Sequence, residues 1–211
     1  MTQDEFSIPN SDAISATDIQ PQASFPNANL SESDLSNANL SGSNLADTDL
    51  SGSNLHGVDL SDANLFESCF KSADLSGANL TDAFLKSADF SDANLIDANL
   101  SHAFPFEADF TGSDLSDITL ADTGLSHADL SGADLSNANL SGADLTDADL
   151  TGANFSGADL SGAELTGADI RKAKMRTARV YRVEMTGCNE EYATESYLSL
   201  LGAYVRDDGE R

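Results

Sequence analysis

The chain is short of positive charge. Its 211 residues hold ten Lys and Arg against 36 Asp and Glu, for a formal net charge of −26. An excess of that size repels other polyanions, which argues against direct binding of nucleic acid. Cysteine is scarce as well, with only Cys69 and Cys188. Two thiols so far apart make no disulfide framework, so a reduced, cytoplasmic protein is the expectation. No stretch is long and apolar enough to cross a bilayer, so no membrane role is expected. The segment 1–24 is polar and lacks Lys and Arg, so it carries neither the basic start nor the apolar run of a signal peptide.

What is present is a sentence of five residues repeated many times. "SGADLSNANLSGADL" at 131–145 holds three copies, each ending in Leu with Ala two places earlier. On an α-helix, residues five apart sit roughly 140° apart, so Leu130, Leu135, Leu140 and Leu145 would scatter around the cylinder. On a straight strand an odd spacing sends every second Leu to the opposite face. A chain that bends once per five residues keeps them all inside, and stacked coils then bury a continuous core. The register runs unbroken from Phe25 to Met185. Every fifth residue, the centre, is nearly always Leu, Phe, Ile, Met or Val, and two places before it stands Ala, Ser or Thr. Val58, Ile118 and Val183 are bulkier exceptions at that earlier position. Asp or Asn mostly lies between the two inward positions. Ser or Thr follows the centre, and then Gly, Asp or Asn. Phe70, Phe90 and Phe110 are twenty residues apart, which suggests four repeats per coil and a stack of three rings on one side.

"ANLSG", "ADLSN" and "ADLTG" resemble the pentapeptide-repeat motif A-(D/N)-L-x-x, and the likeness covers roughly residues 25–187. The resemblance implies an all-β fold, a right-handed, four-sided parallel β-helix. At about 4.8 Å per layer, some eight coils would make a rod roughly 40 Å long. The expected organisation is a polar N-terminal segment 1–24, disordered or capping the first coil, then the β-helix 25–187, then 188–211 as a helical cap or dimer contact. In the last segment Asn189 suits an N-cap and Glu190 and Glu191 suit the first turn. Tyr197, Leu200 and Leu201 lie on an apolar face, which predicts a lid or a homodimer contact through the C-terminus.

Chemistry is hard to find. A convex rod offers no convergent groups in a pocket. His56, His102 and His127 fall at different places around the coil, which argues against a zinc site. No catalytic residues, cofactor or metal are expected, and the chain is not read as an enzyme. Three outward features remain. Asp49, Asp89, Asp109, Asp129, Asp149 and Asp169 form a ladder on one face, interrupted by Cys69. It reads either as a solvated, salt-screened face or as an anionic strip. The acids of the rod average roughly one per 1.5 Å, against about one per 1.7 Å for duplex DNA. A basic collar follows in "RKAKMRTARVYR" at 171–182. Finally, Phe66, Phe84, Phe104 and Phe106 occupy nominally polar positions, with Lys86 between them and Pro105 as the one centre that is not a standard hydrophobe. These rings are either a partner site or the filling of a bulge made by Pro105.

The reading is a non-catalytic scaffold that presents an acidic rod to another protein. Similarity to pentapeptide proteins that protect type II topoisomerases offers an alternative, a DNA mimic acting on DNA gyrase. A third reading is a structural protein of a salt-adapted cytoplasm with no specific partner.

Overall fold

The computed structural model describes residues 7–10 and 14–188. The C-terminal residues expected to form a helix, including Tyr197, Leu200 and Leu201, lie outside the described residues.

From Phe25 to Met185 each five-residue unit makes one flat side and one corner. The corner forms because the centre carbonyl accepts a hydrogen bond from the N–H three residues on, as in Ala38 N–H to Leu35 O at 3.0 Å and Ala138 N–H to Leu135 O at 3.1 Å. Closing that turn puts the second residue after the centre in the left-handed region. Every fifth residue from Gln22 to Gly187 has positive φ. Asp, Asn and Gly dominate there because they tolerate that conformation best.

The middle residue of each side pairs in parallel with the residue twenty further on. Asn29 bridges Asp49, Asp34 bridges Asn54, Asn39 bridges Asp59 and Asn44 bridges Asn64, and each column continues upward. Twenty residues per coil and four columns give the four-sided cross-section. The side chains of the centres and of the residues two before them fill the interior. Leu30 through Leu165 are fully buried at nearly every centre. The rings of Phe70, Phe90 and Phe110 stack as expected, with centroids 4.7 and 4.9 Å apart and planes within 2° and 3°. Those distances measure the step from coil to coil.

The N-terminal segment is attached to the rod. Ser7 forms an antiparallel bridge with Asp34, and each donates its N–H to the other's carbonyl, at 3.1 and 2.8 Å. Ile8 and Ile14 pack against the core. A short 3₁₀ turn, Ala16–Asp18, held by Ser15 N–H to Asp18 Oδ2 at 2.9 Å, leads into the first coil. The edge strand position of Asp34 is therefore paired by the chain itself, which blunts a surface that would otherwise template association.

Among the described residues one rung of the four columns is missing, that between Phe104 and Gly124. Pro105 has no N–H to give the Gly124 carbonyl. The rung below is stretched, with Leu85 N–H to Phe104 O at 3.2 Å against 2.8 Å for Leu65 N–H to Phe84 O. The coil nevertheless stays in register. Pro105 is buried, Phe104 N–H still reaches Ala83 O at 3.0 Å, and Gly124 N–H still reaches Ala103 O at 3.1 Å. The proline removes one hydrogen bond and makes no bulge.

Candidate functional site

Two neighbouring sides carry the features singled out above. Going around a coil, the column through Asn64, Phe84, Phe104, Gly124 and Asp144 is followed by the column through Asp49, Cys69, Asp89, Asp109, Asp129, Asp149 and Asp169. The corner between them holds Phe66, Lys86, Phe106 and Ser126.

The ladder aspartates share one column: Asp49 and Asp89 each bridge Cys69, and Asp89, Asp109, Asp129, Asp149 and Asp169 bridge one another in turn. Its carboxylates also have a task within the fold. Oδ1 of Asp49, Asp89, Asp109, Asp129 and Asp149 accepts the N–H two residues on, at 2.8 to 2.9 Å. Asp169 does the same toward Arg171 N–H at 3.1 Å. Asn performs it on other sides, as Asn39 does for Ser41. The Asp or Asn of the repeat is thus a corner brace before it is a charge. Asp169 is further held by the Arg171 guanidinium, whose hydrogen bonds keep its carboxyl below the usual carboxylate range. Burial first, then the charges of Asp89 and Asp49, push the Cys69 thiol up and keep it protonated within the ladder.

Two of the four phenylalanines, Phe84 and Phe104, are exposed. Phe84 is 44% and Phe104 55% exposed, on adjacent coils, and Phe66 and Phe106 are half-buried beside them. Phe84 stacks on Phe66 across the corner, with centroids 6.2 Å apart and planes within 12°. The Lys86 ammonium sits 5.2 Å from the centre of the Phe106 ring and 3.6 Å from Glu107 Oε2. His127 meets the edge of Phe106 at 5.3 Å. The four rings and Lys86 form one contiguous strip. Because Phe84 and Phe104 stand where Asp or Asn is usual, Lys86 and Phe106 lack the brace that Asn64 Oδ1 gives Phe66 N–H at 3.3 Å.

Two residues escape a reading of the sequence alone. Tyr181 is 65% exposed at a corner where Ser is usual, with Arg182 5.8 Å over its ring. Gly124 is the glycine in the β-helix that does not occupy a left-handed corner. Its signal is its position, one place before a centre, where the other glycines of the β-helix lie two places after one. In the basic collar, Arg179 reaches Asp159 Oδ2 at 3.1 Å and Arg171 is bidentate on Asp169, so part of the collar neutralises the rod locally. Among the described residues no group of His, Cys, Asp and Glu is placed to hold a metal ion, and no helix is long and apolar enough to cross a membrane.

A coil of four five-residue sides, closed by left-handed corners and filled by alternating small and large apolar side chains, defines a stacked-repeat protein. The Pentapeptide repeats family profile matches eight copies, over residues 28–65, 68–104, 106–146 and 143–180. The chain belongs to the pentapeptide-repeat family. No curated protein matches it in sequence. Among solved structures it is similar to HetL, a pentapeptide repeat protein involved in heterocyst differentiation regulation from the cyanobacterium Nostoc sp. strain PCC 7120. That match is 34% identical and covers 80% of this chain and 81% of HetL, with a TM-score of 0.37. It is also similar to a trypsin-treated variant of QnrB1, a plasmid-mediated fluoroquinolone resistance protein. Here the identity is 20%, the coverage 89% and 92%, and the TM-score 0.50, a likeness of fold alone. A pentapeptide repeat protein of the Arabidopsis thaliana thylakoid lumen is 27% identical over 60% of this chain and 81% of that one, with a TM-score of 0.35.

Proposed function

We propose that the protein is a non-catalytic scaffold that binds another protein through the phenylalanine face. One observation carries the reading: Phe84 and Phe104 lie exposed on adjacent coils of a molecule whose net charge is −26. Four rings in one strip on an anionic rod make an apolar centre with a charged rim, the composition of a contact surface. Aromatic side chains are the favoured anchors of such surfaces. The test is affinity capture from lysate at native salt, comparing the wild-type chain with Phe84→Asn/Phe104→Asn. Asn is the residue of Asn44 and Asn64 in the same column, so the variant follows the repeat. Loss of a specifically retained protein supports the reading. Equal capture by both chains removes the phenylalanine face as the site.

The alternative is DNA mimicry toward a type II topoisomerase. It is favoured by the column of carboxylates on consecutive coils from Asp89 to Asp169, facing away from a column in which Asn39, Asn79, Asn99 and Asn139 dominate. Replacing Asp89, Asp109, Asp129 and Asp149 by Asn removes the charge and keeps the corner brace. DNA gyrase bound by the wild type and not by that variant would support mimicry. Gyrase that binds neither chain, or both alike, would dismiss it. Localisation in a cytoplasm and pairing of two copies through the C-terminal segment stand as further parts of this proposal.

A further inference from the structure

We infer that the partner places an arginine side chain over Gly124, between the Phe104 ring and the Asp144 carboxylate. The inference rests on the phenylalanine face being the contact surface, and it names what that surface recognises.

One side chain is missing from the face, at Gly124. Phe104, Gly124 and Asp144 follow one another in a single column on three consecutive coils. Successive coils are 4.7 to 4.9 Å apart by the stacked core rings. A glycine in the middle coil therefore leaves open one layer of the face, walled by an aromatic ring on one side and a carboxylate on the other. Backbone geometry does not demand glycine there, because Gly124 lies outside the left-handed corners. A Cβ built on Gly124 would meet Phe104 Cδ1 at 3.9 Å, ordinary contact, and nothing nearer, so the ring reaches toward the glycine and still leaves room for a β-carbon. The notch is an absence on the outer surface of the face.

Its walls suit one functional group. Asp144 accepts Thr146 N–H on Oδ1 at 3.0 Å and Ser126 Oγ–H on Oδ2 at 2.6 Å. The Thr146 side chain donates to the same carboxylate, which leaves about one lone-pair site for an incoming donor. Burial alone would raise the Asp144 carboxyl, but the hydrogen bonds from Ser126 and Thr146 outweigh it and hold it below the ordinary carboxylate range, so it is ionised at neutral pH. The Gly124 carbonyl lacks its usual donor because Pro105 below it has no N–H, but it faces that proline along the ladder and is not part of the slot. On the flanking corners Asp122 stands exposed and adds to the negative field, whereas Glu107 lies 3.6 Å from Lys86 and Asp147 4.0 Å from His127, which also faces Asp144. Lys86, the cation of the strip, is engaged with Glu107 and Phe106. A flat cation that stacks on a ring and donates several N–H groups in its own plane meets all of these needs together. That is a guanidinium. A lysine ammonium is a compact, strongly hydrated point charge and gains less from the ring wall and the planar slot.

The test uses the full-length ¹⁵N-labelled protein titrated at low salt with Nα-acetyl-arginine amide, with Nα-acetyl-lysine amide as the matched cation. Amide shifts should concentrate at Phe104, Gly124 and Asp144, with the arginine probe binding several-fold more tightly than the lysine probe. Gly124→Asn fills the layer with the residue that Asn44 and Asn64 place in this column and should abolish the localised shifts while leaving the spectrum of the core coils unchanged. Equal binding of both probes, shifts spread over the whole acidic surface, or unchanged binding by Gly124→Asn would overturn the inference. The capture experiment separates it from the broader reading. If Phe84→Asn/Phe104→Asn loses the partner and Gly124→Asn keeps it, the phenylalanine face stands and the arginine slot falls. If the phenylalanine variant still captures the partner, the partner's arginine does not use the Phe104 wall, and the inference falls together with the broader face even where the free arginine probe binds at Gly124.

Discussion

A single serine shows how narrowly each position in the coil is defined. Two places before a centre the side chain points inward, where Ala38 and Ala63 are buried. Ser53 fits there because its hydroxyl reaches Leu30 O at 2.8 Å, and Thr48 reaches Phe25 O at 2.8 Å. Ser33 and Ser43 are buried equally, but their hydroxyls have no partner. A buried hydroxyl left unpaired costs about 1 kcal/mol or more. Ser33→Ala and Ser43→Ala should therefore each raise the melting temperature, whereas Ser53→Ala should lower it or leave it unchanged. Thermal melts of the three variants check the contrast. The inward direction of all these residues is legible from the period of five, because only a chain that bends once per repeat keeps both positions inside. Which hydroxyls find a carbonyl is not legible, since that depends on a rotamer and on the neighbouring coil. The double role of the aspartates is hidden for a related reason. An Asp that braces a corner through one oxygen and an Asp that merely faces water leave the same pattern in the sequence.

At the scale of one coil, counting in twenties assigns residues to sides correctly, and each column of parallel bridges follows it. It places Phe84 beside Phe104, and Phe66 and Phe106 on the corner next to them. It does not give the ring contacts, in which Phe84 stacks on Phe66 across the corner. Pro105 is readable as a defect because proline cannot donate to a ladder. The size of the defect is not, because a bulge would need the register to slip, and the neighbouring Ala83 and Ala103 carbonyls hold it. Pro105→Leu supplies the N–H that the Gly124 carbonyl lacks and the side chain that other centres carry, so it should stabilise the rod by about 1 kcal/mol. A fall in stability measured by denaturant melts would show that the proline is favoured by the packing of that coil in a way the missing rung does not reveal. Gly124 is easily overlooked because glycine recurs throughout the chain, and its placement on a side rather than a corner becomes meaningful only once the corners are known to be left-handed.

For the whole molecule, the charge surplus is the feature outside the core whose effect on stability salt can reveal. The net charge of −26 is spread over a thin rod, and aspartates on consecutive coils are like charges one layer apart. Screening shortens their repulsion to about 3 Å at molar salt, from about 30 Å at 0.01 M. The melting temperature should rise steeply from dilute to molar KCl. A flat response across that series would show that self-repulsion contributes little. Within that charged surface the phenylalanine strip is the exception, and the functional reading depends on its rings being displayed and not packed. Thermal unfolding of Phe84→Asn/Phe104→Asn in molar KCl tests this most directly. Each Asn would give back the corner brace toward residue 86 or 106, a hydrogen bond of about 1 kcal/mol, in place of an exposed ring. The expected melting temperature is equal to or above that of the wild type. A loss on the scale of a buried Phe truncation, about 3–5 kcal/mol, would instead make these rings part of the core and leave the rod without its proposed contact surface.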